Sequence, residues 1–308
     1  MSTPIIIDTD MGVDDAMAVA LALASPELEV VGLASVGGNV CLDQATRNIG
    51  RLLAGLDIKR WPKIARGLDQ PSSLLDAKDV HGDDGLGKVD LPTPERLEPG
   101  GYVELYEELI DKHGEALTIV AIGPLTNLAA LLRDRPGLLN RAGRIVVMGG
   151  AIWCKGNITP HAEFNFYRDP QAAVDVLGSG LPVTVIPLDV TNQVAMDESH
   201  IAHLSRSGRR TGELLARMIR FPMSQPADEG AGRFLVHDPL TIGTLLWPQL
   251  FLRSKMGLAI TTDGPQAGRS KPMLAKDKSR QVSVVISVNV DDFLEHLLER
   301  LCEEKFVV

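Results

Sequence analysis

Four carboxylates are concentrated in an eight-residue stretch near the start of the chain, at Asp8, Asp10, Asp14 and Asp15. The apolar run at residues 4–7 predicts a buried strand before them, and residues 16–24 predict a helix buried on every face after them. One Asp could simply cap that helix, but four like charges away from water need a proton or a cation. Because no Cys or His lies nearby, the oxygen ligands favour a hard divalent cation, and Ca²⁺ suits them better than zinc.

Composition narrows the class of protein. The 308 residues carry a net charge of −9, few aromatics and many glycines, which favours an α/β enzyme and argues against a nucleic-acid surface. The three cysteines are far apart and form no CxxC pair, so we expect a reducing compartment. We find no signal peptide and no segment able to cross a bilayer, and therefore expect a cytoplasmic protein without a membrane partner.

Strand-like and helix-like segments alternate along the chain. A helix is predicted at residues 42–53, and further strands at 29–36, 117–122, 144–148, 182–186, 256–260 and 282–288. This alternation predicts a doubly wound, mostly parallel α/β sheet with Rossmann-like topology, formed by one domain over residues 1–308. Two stretches rich in Gly and Pro, near 66–100 and 220–236, are predicted to be active-site loop regions.

Polar residues follow several of these predicted strands, where parallel sheets bind ligands. Asn39 follows two glycines, and the turn around Thr126 could present a backbone carbonyl to a cation. Further along lie Asn157, Glu163 and Asn165, whose side chains suit hydroxyl groups. His237 and Asp238 open a predicted helix, where the Asp is available to a metal and the His can titrate near neutral pH.

Together these segments resemble the inosine-uridine-preferring nucleoside hydrolases, which are calcium-dependent nucleoside N-ribohydrolases. The motifs DTDxGxDDAxA, GGN, GPLTNLA, MGG, GNxTPxAEFNxxxDPxAA and HDPL occur in the family's order and cover nearly the whole chain. The resemblance implies hydrolysis of the N-glycosidic bond of ribonucleosides to free base and ribose. It also implies the nucleoside hydrolase fold and a homodimer or homotetramer.

The resemblance assigns roles residue by residue. The implied Ca²⁺ ligands are Asp10, Asp15, the main-chain carbonyl of Thr126 and the carboxylate of Asp238. The implied ribose-binding residues are Asp14, Asn157, Glu163 and Asn165, and Asn39 and Asp8 would support the metal turn and the nucleophilic water. Asp10 would activate a calcium-bound water, and His237 would assist the departing base. The chemistry agrees, because carboxylates stabilise the positive charge that develops on the ribose ring.

The residues that contact the base are less clearly indicated. His81 matches the family's mobile-loop histidine, although a loop His often faces solvent. Phe221 could stack on a base and Gln225 could bind a pyrimidine edge, but they could equally be a core and an exposed residue. Trp153 could wall the base pocket or be a buried structural residue. We expect a slight preference for pyrimidine nucleosides, and the sequence leaves the base preference open.

Two other functions compete with this hypothesis. The turn Asp8-Thr9-Asp10 fits the nucleophile turn of a haloacid-dehalogenase-type phosphohydrolase, but the residues that follow it do not, and the segment at 156–165 would have no role. A catalytically inactive protein that binds calcium and a nucleoside is the other alternative. Loss of Asp10 or Asp238 would have favoured it, and both are present.

Overall fold

The first apolar run of the chain forms a strand in the middle of the sheet. The computed structural model describes residues 2–69, 77–95, 97–225, 232–273 and 281–303. In it, strand β1 spans Thr3–Thr9. Ile5 and Ile7 pack into the apolar core on one face of the sheet, whereas Ile6 packs into the core on the other. Burial on both faces is typical of the interior strands of a parallel sheet.

The elements alternate as the sequence predicts. The strands after β1 are β2 (Leu28–Ser35), β3 (Lys63–Arg66), β4 (Gly100–Gly101), β5 (Thr118–Ala121), β6 (Arg144–Met148), β7 (Val183–Ile186), β8 (Ala195–Met196), β9 (Phe234–Leu235), β10 (Phe251–Ile260), β11 (Ser270–Met273) and β12 (Val282–Val288). The helices are α1 (Val13–Leu23), α2 (Leu42–Gly55), α3 (Lys78–His81), α4 (Tyr102–His113), α5 (Thr126–Asp134), α6 (Phe164–Arg168), α7 (Pro170–Leu177), α8 (Leu188–Thr191), α9 (Glu198–Ser205), α10 (Arg210–Ser224), α11 (Asp238–Leu246) and α12 (Val290–Glu303).

The order of the strands places a topological switch point beside β1. Ten strands form one sheet in the order β11-β10-β12-β7-β6-β5-β1-β2-β3-β4. From β4 through β12 each neighbouring pair is parallel, and only the two pairings of β10, with β12 and with β11, are antiparallel. The chain builds outward from β1 through β2 to β4, and then continues from β5 on the other side of β1. The carboxyl ends of β1 and β5 therefore border the topological switch point, where such sheets bind ligands.

Helices cover both faces of the sheet, which confirms the predicted doubly wound, mostly parallel α/β architecture of a single domain. Helix α1 is buried from Val13 to Ala22 and packs against α10 and α11. These contacts explain why its residues are apolar on every side. Helices α4, α5 and α7 contribute to the apolar layer on the opposite face. Among the residues described, no helix combines the length and apolar character needed to span a bilayer.

Three regions differ from the sequence-based predictions. Strand β10 begins at Phe251 rather than at residue 256, because a strand in the antiparallel part of a sheet tolerates polar residues on its solvent face. The region 220–236 is not irregular throughout, since α10 continues through Pro222 to Ser224. The apolar face of α10 packs into the core and stabilises the helix up to this last turn. The region 66–100 likewise contains helix α3 and lies between the end of β3 and the start of β4, while residues 70–76, 96 and 226–231 lie outside the described ranges.

The segment at residues 82–88 docks on the end of α10. Lys88 Nζ lies 5.0 Å from the centre of the Phe221 ring, a cation–π contact. The backbone N–H of Gly87 donates to the carbonyl of His81 at 2.9 Å. Gly87 has a φ of 67°, and a Cβ added there would lie 2.3 Å from the carbonyl oxygen of Met218 on α10. This position therefore requires glycine for conformation and for close approach.

We expect Gly87→Ala to destabilise the protein more than Gly264→Ala. Gly264 has a similar φ of 68°, but no described atom lies within 4 Å of an added Cβ. The control should cost about 1 kcal/mol through its left-handed backbone. Gly87→Ala should cost about 1–3 kcal/mol more, because the clash is with backbone. Urea unfolding of both variants measures the difference, and equal free energies of unfolding would contradict the docking.

Candidate active site

The carboxylate of Asp15 fastens the turn between β1 and α1. It accepts hydrogen bonds from the Thr9 hydroxyl, from the backbone N–H of Gly12 at 2.8 Å and from the side chain of Asn39 at 3.0 Å. The bond from Gly12 caps the first turn of α1, where N–H groups lack helical partners. Met11 in the same turn has a φ of 47°, a conformation that bulky residues seldom adopt outside functional sites.

Asp10 is held by the residues that follow β2. One of its oxygens accepts the backbone N–H of Asn39 at 2.7 Å, and the other accepts the Asn39 side chain at 3.2 Å. A Cβ on Gly38 would lie 2.0 Å from Asp10 Oδ2, so only glycine allows this approach. Burial and the charge of Asp15 raise the pKa of Asp10 well above its ordinary value, although the Asn39 backbone bond opposes the rise.

Three carboxylates meet where α1 and α11 begin. Oxygens of Asp14, Asp15 and Asp238 lie within 4.8 Å of one another, and all three side chains are buried. Burial raises the pKa of Asp14 to about 6. Burial, with the charges of Asp14, Asp15 and Asp10, raises the pKa of Asp238 well above its usual range. The two helix N-termini offset part of this repulsion, but not all of it.

The cluster fits a hard divalent cation. Its donors are oxygens, and Asp14 Oδ1 is buried without a hydrogen-bond partner in the described part of the chain. Without positive charge, close buried carboxylates must take up protons. The grouping differs in one member from the ligand set implied by the resemblance, because Asp14 stands where Asp10 was expected. Asp10 lies beside the group, within reach of the charges of Asp14 and Asp15.

Asp8 lies behind the cluster and is bound by two residues that the sequence analysis did not single out. The hydroxyl of Tyr106 donates to Asp8 Oδ2 at 3.0 Å, and Asn127 Nδ2 donates to the same oxygen at 2.9 Å. Burial nevertheless raises the pKa of Asp8 to about 7. Asn127 could have been found, because it lies in the GPLTN segment next to Thr126. Tyr106 lies in the amphipathic helix α4 and carries no motif.

Glu163 and Asn165 form the wall beyond β5 and β6. Glu163 accepts backbone N–H groups of Gly150 at 2.9 Å and of Asn165 at 2.7 Å, and burial raises its pKa to about 7. Asn165 donates from its side chain to the carbonyls of Ile122 at 3.0 Å and Met148 at 3.3 Å. These carbonyls directly follow β5 and end β6, so the sheet edge positions the Asn165 amide.

Thr126 and Asn157 also lie among these segments. Thr126 is the buried first residue of α5, and its hydroxyl donates to Asp169 Oδ2 at 2.8 Å. Asn157 is exposed and accepts the backbone N–H of Phe164 at 2.9 Å. The metal-binding role of the Thr126 carbonyl and the ribose-binding role of Asn157 remain predictions.

Two histidines flank the carboxylates. Nδ1 of His81 accepts the backbone N–H of Val13 at 3.1 Å and lies 3.9 Å from Asp14 Oδ1. Nδ1 of His237 lies 2.7 Å from the hydroxyl oxygen of Thr191. Burial lowers the pKa of each histidine to about 4, and repulsion between the protonated forms of the two rings adds to the lowering at His237. Both rings are therefore neutral at pH 7.

The predicted base-contact residues are more exposed to solvent than the carboxylates. Phe221 is half-buried in the last turns of α10, and the Gln225 side chain donates to the Phe221 carbonyl at 3.4 Å and to Ser224 Oγ at 3.2 Å. Trp153 is 59% exposed, so its interpretation as a buried structural residue is wrong. Its backbone N–H donates to Asp189 at 2.7 Å.

Comparison with known proteins identifies relatives over the full length. Residues 5–295 match the sequence model of the family described as inosine-uridine preferring nucleoside hydrolase. A pyrimidine-specific ribonucleoside hydrolase RihA from Salmonella schwarzengrund is 38% identical, over 98% of this chain and 99% of the relative. A purine-preferring ribonucleoside hydrolase from Gardnerella vaginalis superposes with a TM-score of 0.89 at 31% identity, covering 97% of this chain and 98% of that one. A plant nucleoside hydrolase superposes with a TM-score of 0.91 at 30% identity, covering 98% and 99%.

We expect Ca²⁺ to raise the melting temperature of the protein relative to chelator. An excess of about 100 times Kd would stabilise the folded state by about 2.7 kcal/mol. Asp238→Asn should remove most of the shift, because it deletes a buried charged donor. Asp263→Asn, an exposed control, should keep it. Differential scanning calorimetry with Ca²⁺ or chelator measures both, and a wild-type melting temperature insensitive to the ion would contradict the metal centre.

Proposed function

The chain belongs to the inosine-uridine preferring nucleoside hydrolase family and hydrolyses ribonucleosides, and we propose that it does so with a Ca²⁺ held by Asp10, Asp15, Asp238 and the Thr126 carbonyl. The observation that carries this proposal is the buried group of carboxylates at the switch point of the sheet. When bound, the ion supplies positive charge that keeps these carboxylates ionised and polarises water and ribose hydroxyls.

The carboxylates match the charge that the reaction develops. Breaking the N-glycosidic bond places positive charge on the ribose ring and negative charge on the departing base. Ionised Asp14 and Glu163 beneath the sugar would stabilise the ring charge electrostatically, in a site where little water screens it. Their burial supports this role, since the interaction is stronger away from solvent.

Asp10 is proposed as the general base. It lies at the carboxyl end of β1 beside the carboxylate group, where its ionised side chain could take a proton from water. Asn39 holds both oxygens of Asp10 and fixes its orientation. Asp8 supports the turn from behind, through Tyr106 and Asn127.

The ribose would be positioned by its hydroxyl groups. We assign the 2′-hydroxyl to Asp14, whose unpartnered oxygen is available to accept a hydrogen bond. Asn157, Glu163 and Asn165 are assigned to the 3′- and 5′-hydroxyls. Fixing three hydroxyl groups orients the scissile bond and lowers the entropic part of the barrier.

On the base side, His237 is proposed to assist departure with a hydrogen bond. His81, which directly precedes the docked segment at residues 82–88, would help to close the site. We propose a slight preference for pyrimidine nucleosides, supported by the pyrimidine-specific name of the RihA relative. The purine-preferring name of the Gardnerella protein is the finding against it.

We also propose a cytoplasmic homodimer or homotetramer, with the regions near 66–100 and 220–236 as active-site loops.

Ribose release from inosine, adenosine, guanosine, uridine and cytidine tests the mechanism. We expect chelator to abolish release and Ca²⁺ to restore it. Asp10→Asn should lower kcat by about 10²–10⁴-fold, because it removes the proposed general base while keeping the shape of the side chain. Titration calorimetry of Ca²⁺ binding to the variant shows whether the lower rate comes from loss of the general base or from loss of the ion. Undiminished turnover in chelator, or in Asp10→Asn, would contradict the proposed mechanism.

Gln225→Ala tests the base preference. If Gln225 binds the edge of a pyrimidine, the variant should lower kcat/KM for uridine about three- to tenfold relative to inosine. Ser224→Ala is the matched control, because Ser224 is exposed next to Gln225 and shares its bond to the Phe221 carbonyl. A ratio of uridine to inosine that both variants leave unchanged would remove Gln225 from the base site.

A further inference from the structure

Thr191 is a buried residue whose hydroxyl meets the imidazole of His237. It ends the short helix α8, and its side chain is 0% exposed. Its Oγ1 lies 2.7 Å from His237 Nδ1, which is the sole hydrogen-bond partner of this hydroxyl within the described ranges. No motif marks Thr191, and the proposed mechanism above gives it no role.

A small sheet brings the two residues together. Strands β8 and β9 pair in antiparallel register, with Ala195 opposite Leu235. The backbone N–H of Val236 also donates to the carbonyl of Val194 at 3.0 Å. Thr191 lies just before β8 and His237 just after β9, so this pairing fixes the distance between the hydroxyl and the ring although the two residues are 46 positions apart in the sequence.

The hydrogen-bond network assigns the hydrogen positions. A buried hydroxyl hydrogen without an acceptor is costly, and the acceptor available to the Thr191 hydroxyl is His237 Nδ1. If Nδ1 instead carried the hydrogen and donated it, the hydroxyl hydrogen would be left without a partner. The hydroxyl therefore donates to Nδ1, and the ring hydrogen of a neutral His237 resides on Nε2.

We propose that Thr191 is a positioning residue that holds His237 in the tautomer able to donate from Nε2 to the departing base. This inference rests on the proposed hydrolysis of ribonucleosides. When the N-glycosidic bond breaks, its electron pair moves to the nitrogen of the base. A hydrogen on Nε2 stabilises that charge through a hydrogen bond, whereas a bare Nε2 would present a lone pair and repel it.

The choice of leaving group separates positioning from general damage. A 4-nitrophenyl β-ribofuranoside releases a phenolate that needs no hydrogen bond, whereas uridine and inosine release poorer leaving groups. We expect Thr191→Val to lower kcat on nucleosides about tenfold, with the rate on the nitrophenyl riboside within about twofold of wild type. Thr191→Ser should restore the nucleoside rate. In a His237→Ala background, Thr191→Val should have no further effect.

Thr241→Val is the matched control for exchanging a buried threonine. Thr241 is also 0% exposed, and its hydroxyl has no partner in the described part of the chain. The Thr241→Val variant should therefore hydrolyse nucleosides at rates within about twofold of wild type. Equal losses on both substrate classes in Thr191→Val, or a persisting effect in the His237→Ala background, would overturn the positioning role. A wild-type protein that cleaves neither substrate class would instead overturn the proposed hydrolysis itself.

Discussion

Repulsion among buried carboxylates at the carboxyl end of β1 is the constraint around which the site is organised. Asp10, Asp15 and Asp238 are almost fully removed from water, where each charge is costly. Hydrogen bonds from Thr9, Gly12 and Asn39 recover part of that cost, and two helix N-termini recover more. The pKa values remain raised after these contributions, so protein groups alone do not neutralise the cluster. The proposed cation would supply the missing charge.

The topology explains why such a cluster can form at all. Because β1 lies between β5 and β2, its carboxyl end is approached by turns from both neighbours. These turns come close only where side chains are absent. A Cβ on Gly123, after β5, would lie 3.1 Å from the backbone nitrogen of Asp10, and Gly38 is closer still to the carboxylate. Glycine in these two turns therefore allows both loops to pack closely against Asp10.

The sequence was most informative where a signal is local. Strands β6 and β12 have the predicted limits, because each is an uninterrupted apolar run between turn signals. It was less informative where tertiary packing decides, as in the extension of α10 through Pro222. The contact between Tyr106 and Asp8 joins residues 98 positions apart, and no local pattern encodes it. The motifs thus identified the acidic residues and Asn39, which binds two of them, but not Tyr106, which lies outside every motif.

The two neutral histidines show which electrostatic effect dominates beside the cluster. The charge of Asp15 favours an imidazolium at His81, yet burial lowers the pKa to about 4, so desolvation outweighs attraction. A cation among the carboxylates would weaken that attraction further. For a neutral imidazole the decisive question is which nitrogen carries the hydrogen. At His81 the N–H of Val13 can only donate, which makes Nδ1 the acceptor and leaves the hydrogen on Nε2. At His237 the same tautomer depends on the Thr191 hydroxyl, which can either donate or accept a hydrogen bond. The tautomer of His237 is therefore more easily altered than that of His81.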